Sequence, residues 1–220
     1  MIDIIYEDNH IIVANKPFNM PSQADDSNDI DMLSYLKAYI KDKYQKPGNV
    51  YLGLVHRLDR PSGGLMVFAK TSKAASRLQK AFKNHEIKKH YYAIVKDGNL
   101  KERDTLEDKL LKDHKTNMVT VNENGKPSKL SYEVIARKDG LVLVDIDLAT
   151  GRSHQIRVQF SHRGNALYGD HRYGKAISGQ LALWSYSLSF KHPVKDEVMC
   201  FTSLPPQIHP FTLFAEVLYE

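Results

Sequence analysis

Cysteine is nearly absent: Cys200 is the only one in 220 residues. A disulfide framework and a Cys-rich zinc site are excluded, and a reducing cytoplasm is the simplest home. No apolar run approaches the roughly 18–20 residues that span a bilayer, so no membrane partner is expected. The first sixteen residues carry acids and read as strand, not as a basic-then-apolar secretory signal. The ten His residues are scattered, with no His-x3-His or zincin spacing, so no metal site is expected. A phosphate-binding glycine loop, a nucleophile elbow and a cysteine nucleophile are also missing. The sequence has no repeat, no low-complexity tract and no clear linker, and 220 residues suit a single domain spanning 1–220.

What is present is an ordinary globular balance, 42% hydrophobic and 26% charged, with a net charge of +5. The distribution of that charge is uneven. From Lys70 to Tyr92 seven Lys/Arg (Lys70, Lys73, Arg77, Lys80, Lys83, Lys88, Lys89) face one acid, Glu86. From Gly151 to Lys175 five (Arg152, Arg157, Arg163, Arg172, Lys175) face Asp170. Residues 1–31 invert the balance, with seven acids and only Lys16. Such polarity fits a polyanion on one face, although solvated helix faces produce the same runs.

Patches of apolar residues around Glu7-Asp8-Asn9 predict two short strands over 2–16, and the stretch to Asp31 reads as a loop. Met32, Leu36, Tyr39 and Ile40 repeat at helical spacing, with Asp29 or Asp31 as cap. Leu65 to Ala69 is strand-like. Thr71 or Ser72 opens a helix with the stripe Ala74, Ala75, Leu78, Ala81 and Phe82. Tyr91 to Val95 is another strand. Residues 99–127 are polar and fit hairpins or an excursion from the core. Leu141 to Leu148 alternates as a strand, and Ser153 to Arg163 can be a helix closed by Gly164. Ala182, Trp184, Tyr186, Leu188 and Phe190 mark one more strand face. The expectation is α+β: a largely antiparallel mixed sheet flanked by helices and loops.

Three places could carry chemistry. His56-Arg57-Leu58-Asp59 precedes the breaker run Arg60-Pro61-Ser62-Gly63-Gly64, where a strand aims side chains and a turn exposes them. An Asp beside Arg is also a common salt bridge or Asx-turn acceptor. Gly151-Arg152-Ser153-His154-Gln155-Ile156-Arg157 opens a helix with several donors and no carboxylate, which suits a phosphate or carboxylate. The alternative is a solvated basic first turn, although cations there oppose the helix dipole, which slightly favours a functional role. Tyr91, after Lys88-Lys89-His90, is either core or a stacking surface.

Together these segments resemble the pseudouridine synthases of the branch that carries the HRLD signature and modifies ribosomal or transfer RNA. Ile4 to Asp8 and Val13-Ala-Asn-Lys16-Pro17 resemble the opening strands and Lys-Pro motif. His56 to Gly64 resembles the catalytic motif. Lys88-Lys-His-Tyr91 resembles the tyrosine motif, 32 residues beyond Asp59. Thr150 to Arg157 resembles the third motif and Leu167-Tyr-Gly-Asp170 its sequel. The match extends over most of the chain. Gln159 stands where relatives often have a second His, and the loop Pro21–Asp29 departs from the usual apolar version. Relatives often carry an S4-like RNA-binding module ahead of the Lys-Pro motif; here that motif begins at residue 16, so a catalytic domain alone is expected.

The resemblance implies a cofactor-free isomerase that flips a uridine out of structured RNA, breaks its N1–C1′ bond and rejoins the base through C5. It assigns Asp59 as nucleophile or charge stabiliser. Arg157 is the cation that favours its ionised form, and Tyr91 is the stacking ring and proton-transfer group. Arg57, His56, Arg152, His154, Gln155 and Lys16 are the expected substrate contacts, and the basic runs supply phosphate contacts. A monomer in the cytoplasm is expected. Two other classes share these features: a carboxylate-dependent glycosylase or hydrolase, which releases free uracil, and a non-catalytic RNA-binding or ribosome-assembly factor.

Overall fold

In the computed structural model, which describes residues 2–175 and 179–220, the chain divides into two compact units. Unit one is Met1–Ile87 with Ser187–Ser203, and unit two is Lys88–Tyr186 with Leu204–Glu220.

In unit one, strands β1 (Ile4–Glu7) and β2 (Ile11–Lys16) form a hairpin, and β2 pairs with β4 (Gly63–Ala69). The two-residue β3 (Gly53–Leu54) lies on the end of β4. Ile11 to Ala14 and Leu65 to Ala69 are all fully buried. Both faces of these strands are therefore covered, which is why their sequences are continuous apolar runs and not alternations. One cover is α2 (Ser72–Lys83), whose Ala74, Ala75 and Leu78 join Ile11, Val13, Leu65 and Val67 in one cluster. Thr71 caps this helix by accepting the Ala74 N–H at 3.2 Å. Helix α1 (Met32–Lys43) buries Met32, Leu36 and Ile40, and Asp31 accepts the Ser34 N–H at 3.0 Å.

Unit two is an antiparallel sheet in the order β5 (Lys88–Lys96), β9 (Leu141–Asp147), β8 (Lys126–Lys138), β6 (Arg103–Lys112), β7 (Val119–Val121). The polar stretch 99–127 thus holds β6, β7 and the start of β8, which resolves the choice left open by sequence in favour of hairpins. Strand β6 buries only Leu106 and Leu110 of its ten residues, so its alternation is thin and charged. Helix α3 (Gln155–His162) is short, and Gly164 follows it at φ +82° as the expected left-handed close. Strand β10 (Leu183–Lys191) crosses the boundary, and its later half pairs with β11 (Val198–Thr202) in unit one. The chain ends in a 3₁₀ turn, Phe211–Phe214, and α4, Ala215–Leu218. All the ladders described are antiparallel, as the α+β reading expects.

Candidate active site

The His56–Asp59 segment of unit one belongs to no ladder; neighbouring side chains hold it. Ser22 does this with one hydroxyl, which donates to the Leu58 carbonyl at 2.8 Å and accepts the Leu58 N–H at 3.2 Å. Leu58 is buried, and Arg57 is consequently exposed on the other side. The Ser62 N–H closes a turn onto the Asp59 carbonyl at 3.0 Å. His56 accepts the Val67 N–H of β4 on Nε2 at 3.0 Å and stacks on Phe82 of α2, ring centroids 4.6 Å apart.

Lys16, at the end of β2, is fully buried. Its ammonium donates to the carbonyls of Pro17, Met20 and Arg60 at 2.9, 2.6 and 3.0 Å. An ammonium has three donors, and all three are used on main chain. Burial pushes the Lys16 pKa down to about 7, against the attraction of the Asp59 carboxylate, while Arg60 lowers it further. A direct substrate contact by Lys16 would have to break one of these bonds. Its placement suits shaping the loop and the turn after Asp59.

In unit two, Tyr91 sits on β5 opposite Ile146 and is buried. Strand alternation puts His90, Tyr92, Asp145, Asp147 and Glu133 on the other face. That face carries a cavity of about 540 Å³ lined by four carboxylates, Asp104, Glu133, Asp145 and Asp147, with His90 and Arg103. Its charge repels phosphate, so it is a poor RNA site.

Six consecutive residues of α3, Gln155 to Phe160, are buried, three of them polar or charged. Each polar group is satisfied locally, as burial requires. The Arg157 guanidinium forms a fork on Asp170, Nε and Nη2 each 2.8 Å from a carboxylate oxygen, and lies over the Tyr173 ring, 5.1 Å from its centroid. Burial alone would push Asp170 up, but Arg157 and the Tyr173 and Arg172 N–H groups hold it below its ordinary value. The turn that delivers Asp170 needs Gly169: its φ is +69°, and a Cβ there would lie 2.2 Å from the Gln180 carbonyl oxygen.

Gln155 makes four hydrogen bonds. Its oxygen accepts from Thr150 Oγ1 and the Arg152 N–H, and its nitrogen donates to the Lys129 carbonyl and Gln159 Oε1. A primary amide has no fifth bond to give, so a substrate contact at Gln155 would displace one of these. Gln159 continues the network to the Leu106 carbonyl and Asp108. His154 meets Tyr173, Nδ1 to hydroxyl, at 2.6 Å. Arg152 donates from Nε to the Pro127 carbonyl at 3.0 Å.

The basic runs also sort themselves. Lys70 pairs with Glu7 at 2.6 Å and Lys89 is buried, so neither is a surface phosphate contact, a correction to the sequence expectation. Lys73, Lys80, Lys83 and Lys88 remain exposed. Among the described residues no group of His, Cys, Asp or Glu is arranged to hold a metal ion, and no helix is long and apolar enough to cross a membrane.

Residues 10–162, which contain the His56–Asp59 turn, Tyr91 and all of α3, match the RNA pseudouridylate synthase family. The chain belongs to that family. As a pseudouridylate synthase family member it is 33% identical over 205 residues to ribosomal large subunit pseudouridine synthase C of Vibrio parahaemolyticus, covering 89% of this chain and 63% of that protein. It is 36% identical to the uncharacterized RNA pseudouridine synthase YjbO of Bacillus subtilis, covering 94% and 73%. It is 31% identical to the dual-specificity RNA pseudouridine synthase RluA of Pasteurella multocida, covering 93% of each chain. The chain thus spans 54–63% of the length of the synthase C relatives it matches. Human RNA pseudouridylate synthase domain containing 4 shares the fold, with a TM-score of 0.79 at 20% identity over 98% of this chain and 92% of that one.

Two residues of this pseudouridylate synthase domain, Ser22 and Tyr173, could not be read from the sequence. Ser22 lies in the loop that departs from the usual pattern, and nothing local marks it as an anchor for Leu58. Tyr173 follows Asp170 by three residues, and only the fold shows that it underlies Arg157.

Proposed function

We propose that this chain isomerises specific uridines in structured ribosomal or transfer RNA to pseudouridine. The observation that carries the reading is the His56–Asp59 turn: a carboxylate presented from main chain that Ser22 and Lys16 fix, inside the region that matches the family. The names of the relatives, synthases of large-subunit RNA and a dual-specificity RNA enzyme, support RNA as the substrate class.

The reaction conserves atoms and electrons. The N1–C1′ bond breaks, the uracil turns, C5 bonds to C1′, and the proton lost from C5 is balanced by one gained at N1. It therefore calls for no redox partner and no organic cofactor. The target uridine is flipped out at a cost of a few kcal/mol, least in loops. Asp59 is the catalytic carboxylate, acting as nucleophile or charge stabiliser at the sugar–base bond. Tyr91 supplies a ring for the flipped base and a hydroxyl for proton transfer. Arg157 supplies a positive charge whose orientation Asp170 fixes. Arg57 and Arg152 are the contacts with the flipped nucleotide and its phosphates, and His56, Lys16, His154 and Gln155 shape the segments that carry these groups. Residues 1–220 act in this reading as a single catalytic domain, monomeric and cytoplasmic.

The test is a map of pseudouridines in total RNA from a deletion strain, complemented with wild type or with Asp59→Asn. Wild type restores a missing site; Asp59→Asn folds and binds RNA but forms pseudouridine at least about 10²-fold more slowly. An Asp59→Asn protein with wild-type turnover sinks the assignment. Release of free uracil would move the protein to the glycosylases.

A further inference from the structure

Tyr173 occupies a junction in unit two that the reading above leaves unused. Its main chain is fixed at both ends: the N–H donates to Asp170 Oδ1 at 3.0 Å, and the carbonyl accepts the Ser161 hydroxyl of α3 at 2.7 Å. Its side chain is half-buried and makes contacts of different kinds. The ring lies under Arg157, 5.1 Å from centroid to the guanidinium carbon. The hydroxyl accepts the Val119 N–H at 3.0 Å and meets His154 Nδ1 at 2.6 Å. The ring also packs on the small apolar cluster of Leu110, Val119 and Val158.

We propose that Tyr173 is a positioning residue with two separable duties. Its ring sets the tilt of the Arg157 guanidinium, and its hydroxyl pins the β6–β7 hairpin to the start of α3.

The first duty follows from what Asp170 leaves undone. A fork of two hydrogen bonds holds a guanidinium in the carboxylate's plane and resists sliding, but it opposes tilting only weakly. An aromatic face beneath the cation attracts it and removes that freedom. The second duty follows from proton counting. A hydroxyl has one proton and two lone pairs. With the Val119 N–H on one lone pair, the hydroxyl keeps a proton and a second lone pair, so it can pair with His154 Nδ1 in either tautomer. Val119 is the first residue of β7, a three-residue strand that ends the order of the unit-two sheet, so its N–H is an edge donor. Tyr173 satisfies that donor without another strand. The neighbouring Arg172 reinforces the link by donating to the Asn117 carbonyl, in the same hairpin, at 2.7 Å.

The first duty rests on the reading that Arg157 serves pseudouridine formation; the second does not. The experiment compares Tyr173→Phe and Tyr173→Leu in the full chain. Single-turnover pseudouridine formation is measured on RNA from the deletion strain, alongside amide exchange at Val119. Exchange at Val119 should quicken about 10-fold in both variants, since both lose the hydroxyl. Turnover should fall about 5- to 10-fold in the Leu variant, with Phe rescuing most of that loss because it keeps the ring. If Leu does not fold, the upfield ring-current shift of the Arg157 Nε–H, present in wild type and Phe, carries the first half of the test. Equal turnover losses in Phe and Leu, or no ring-current shift, overturn the first duty. Unchanged Val119 exchange in Phe overturns the second. Wild-type protein that forms no pseudouridine, with Val119 exchange still quickened in Phe, sinks the functional reading and leaves the hydroxyl's duty standing.

Discussion

The His56–Asp59 segment of unit one and helix α3 of unit two hold their key residues by different physical means. The first has no ladder, so its own main chain is not self-satisfied. Helper side chains are aimed at its backbone: Ser22 at Leu58, and Lys16 at Arg60 and two loop carbonyls. The second is a regular helix whose backbone satisfies itself. Its helpers are aimed at other side chains: Asp170 and Tyr173 at Arg157, and Gln155 at Gln159 and on to Asp108. A turn presents a carboxylate correctly when its carbonyls are fixed. A long cation is presented correctly only when its rotamer is fixed. The chemistry of each helper follows from that requirement.

Three substitutions probe the contrast, beginning with the largest expected effect. Asp170→Asn removes one member of a fully buried ion pair and leaves the Arg157 charge uncompensated by it. Denaturant unfolding should show a loss of about 3–5 kcal/mol. A loss well under 1 kcal/mol would mean that side-chain charge is not what secures α3. Lys16→Met keeps the volume but leaves the carbonyls of Pro17, Met20 and Arg60 without their donor. The expected cost is about 1–3 kcal/mol, with faster amide exchange at Ser62 in the turn after Asp59. Uniformly faster exchange across unit one, with no preference for that turn, would deny Lys16 its local role.

The smallest effect separates charge from main-chain support inside unit one. Glu7 has an ordinary pKa of 4.5; burial would raise it, but Lys43, Lys70 and Tyr44 bring it to about 2. A carboxylate depressed in the folded state contributes stability that is fully present above about 4.5 and is lost as pH falls towards about 2. Glu7→Gln should flatten the stability profile of the protein across that window and leave its shape at neutral pH unchanged. An acid limb of unaltered slope would show that the lysines do not depend on this carboxylate.

How much was legible in the sequence follows the same division. Covered strands announce themselves as apolar runs, so β2 and β4 were readable; α1 and α2 were marked by cap candidates, Asp29 or Asp31 and Thr71 or Ser72, of which Asp31 and Thr71 cap them. Strands β6 and β8 were hidden because each buries only a few positions among Lys, Glu and Asp. Strand β11 and the C-terminal turns carry no period long enough to recognise. At the candidate site, the exposure of Arg57 opposite Leu58 could be read from adjacency. The duty of Lys16 could not, because one of its acceptors is a carbonyl 44 residues away and every residue type has a carbonyl. Gln155 read as a free donor beside two arginines, and only the folded neighbourhood shows its amide fully used.

The buried ammonium of Lys16 has one more consequence, for reactivity. Burial is what brings its pKa down to about 7, so the amine loses its proton easily only while no part of the side chain reaches solvent. Once exposed, it returns to the range of an ordinary surface lysine. Acylating reagents can reach it only when the loop after β2 swings away from the Asp59 turn, so the modification rate at Lys16 is a clock for the opening of that turn.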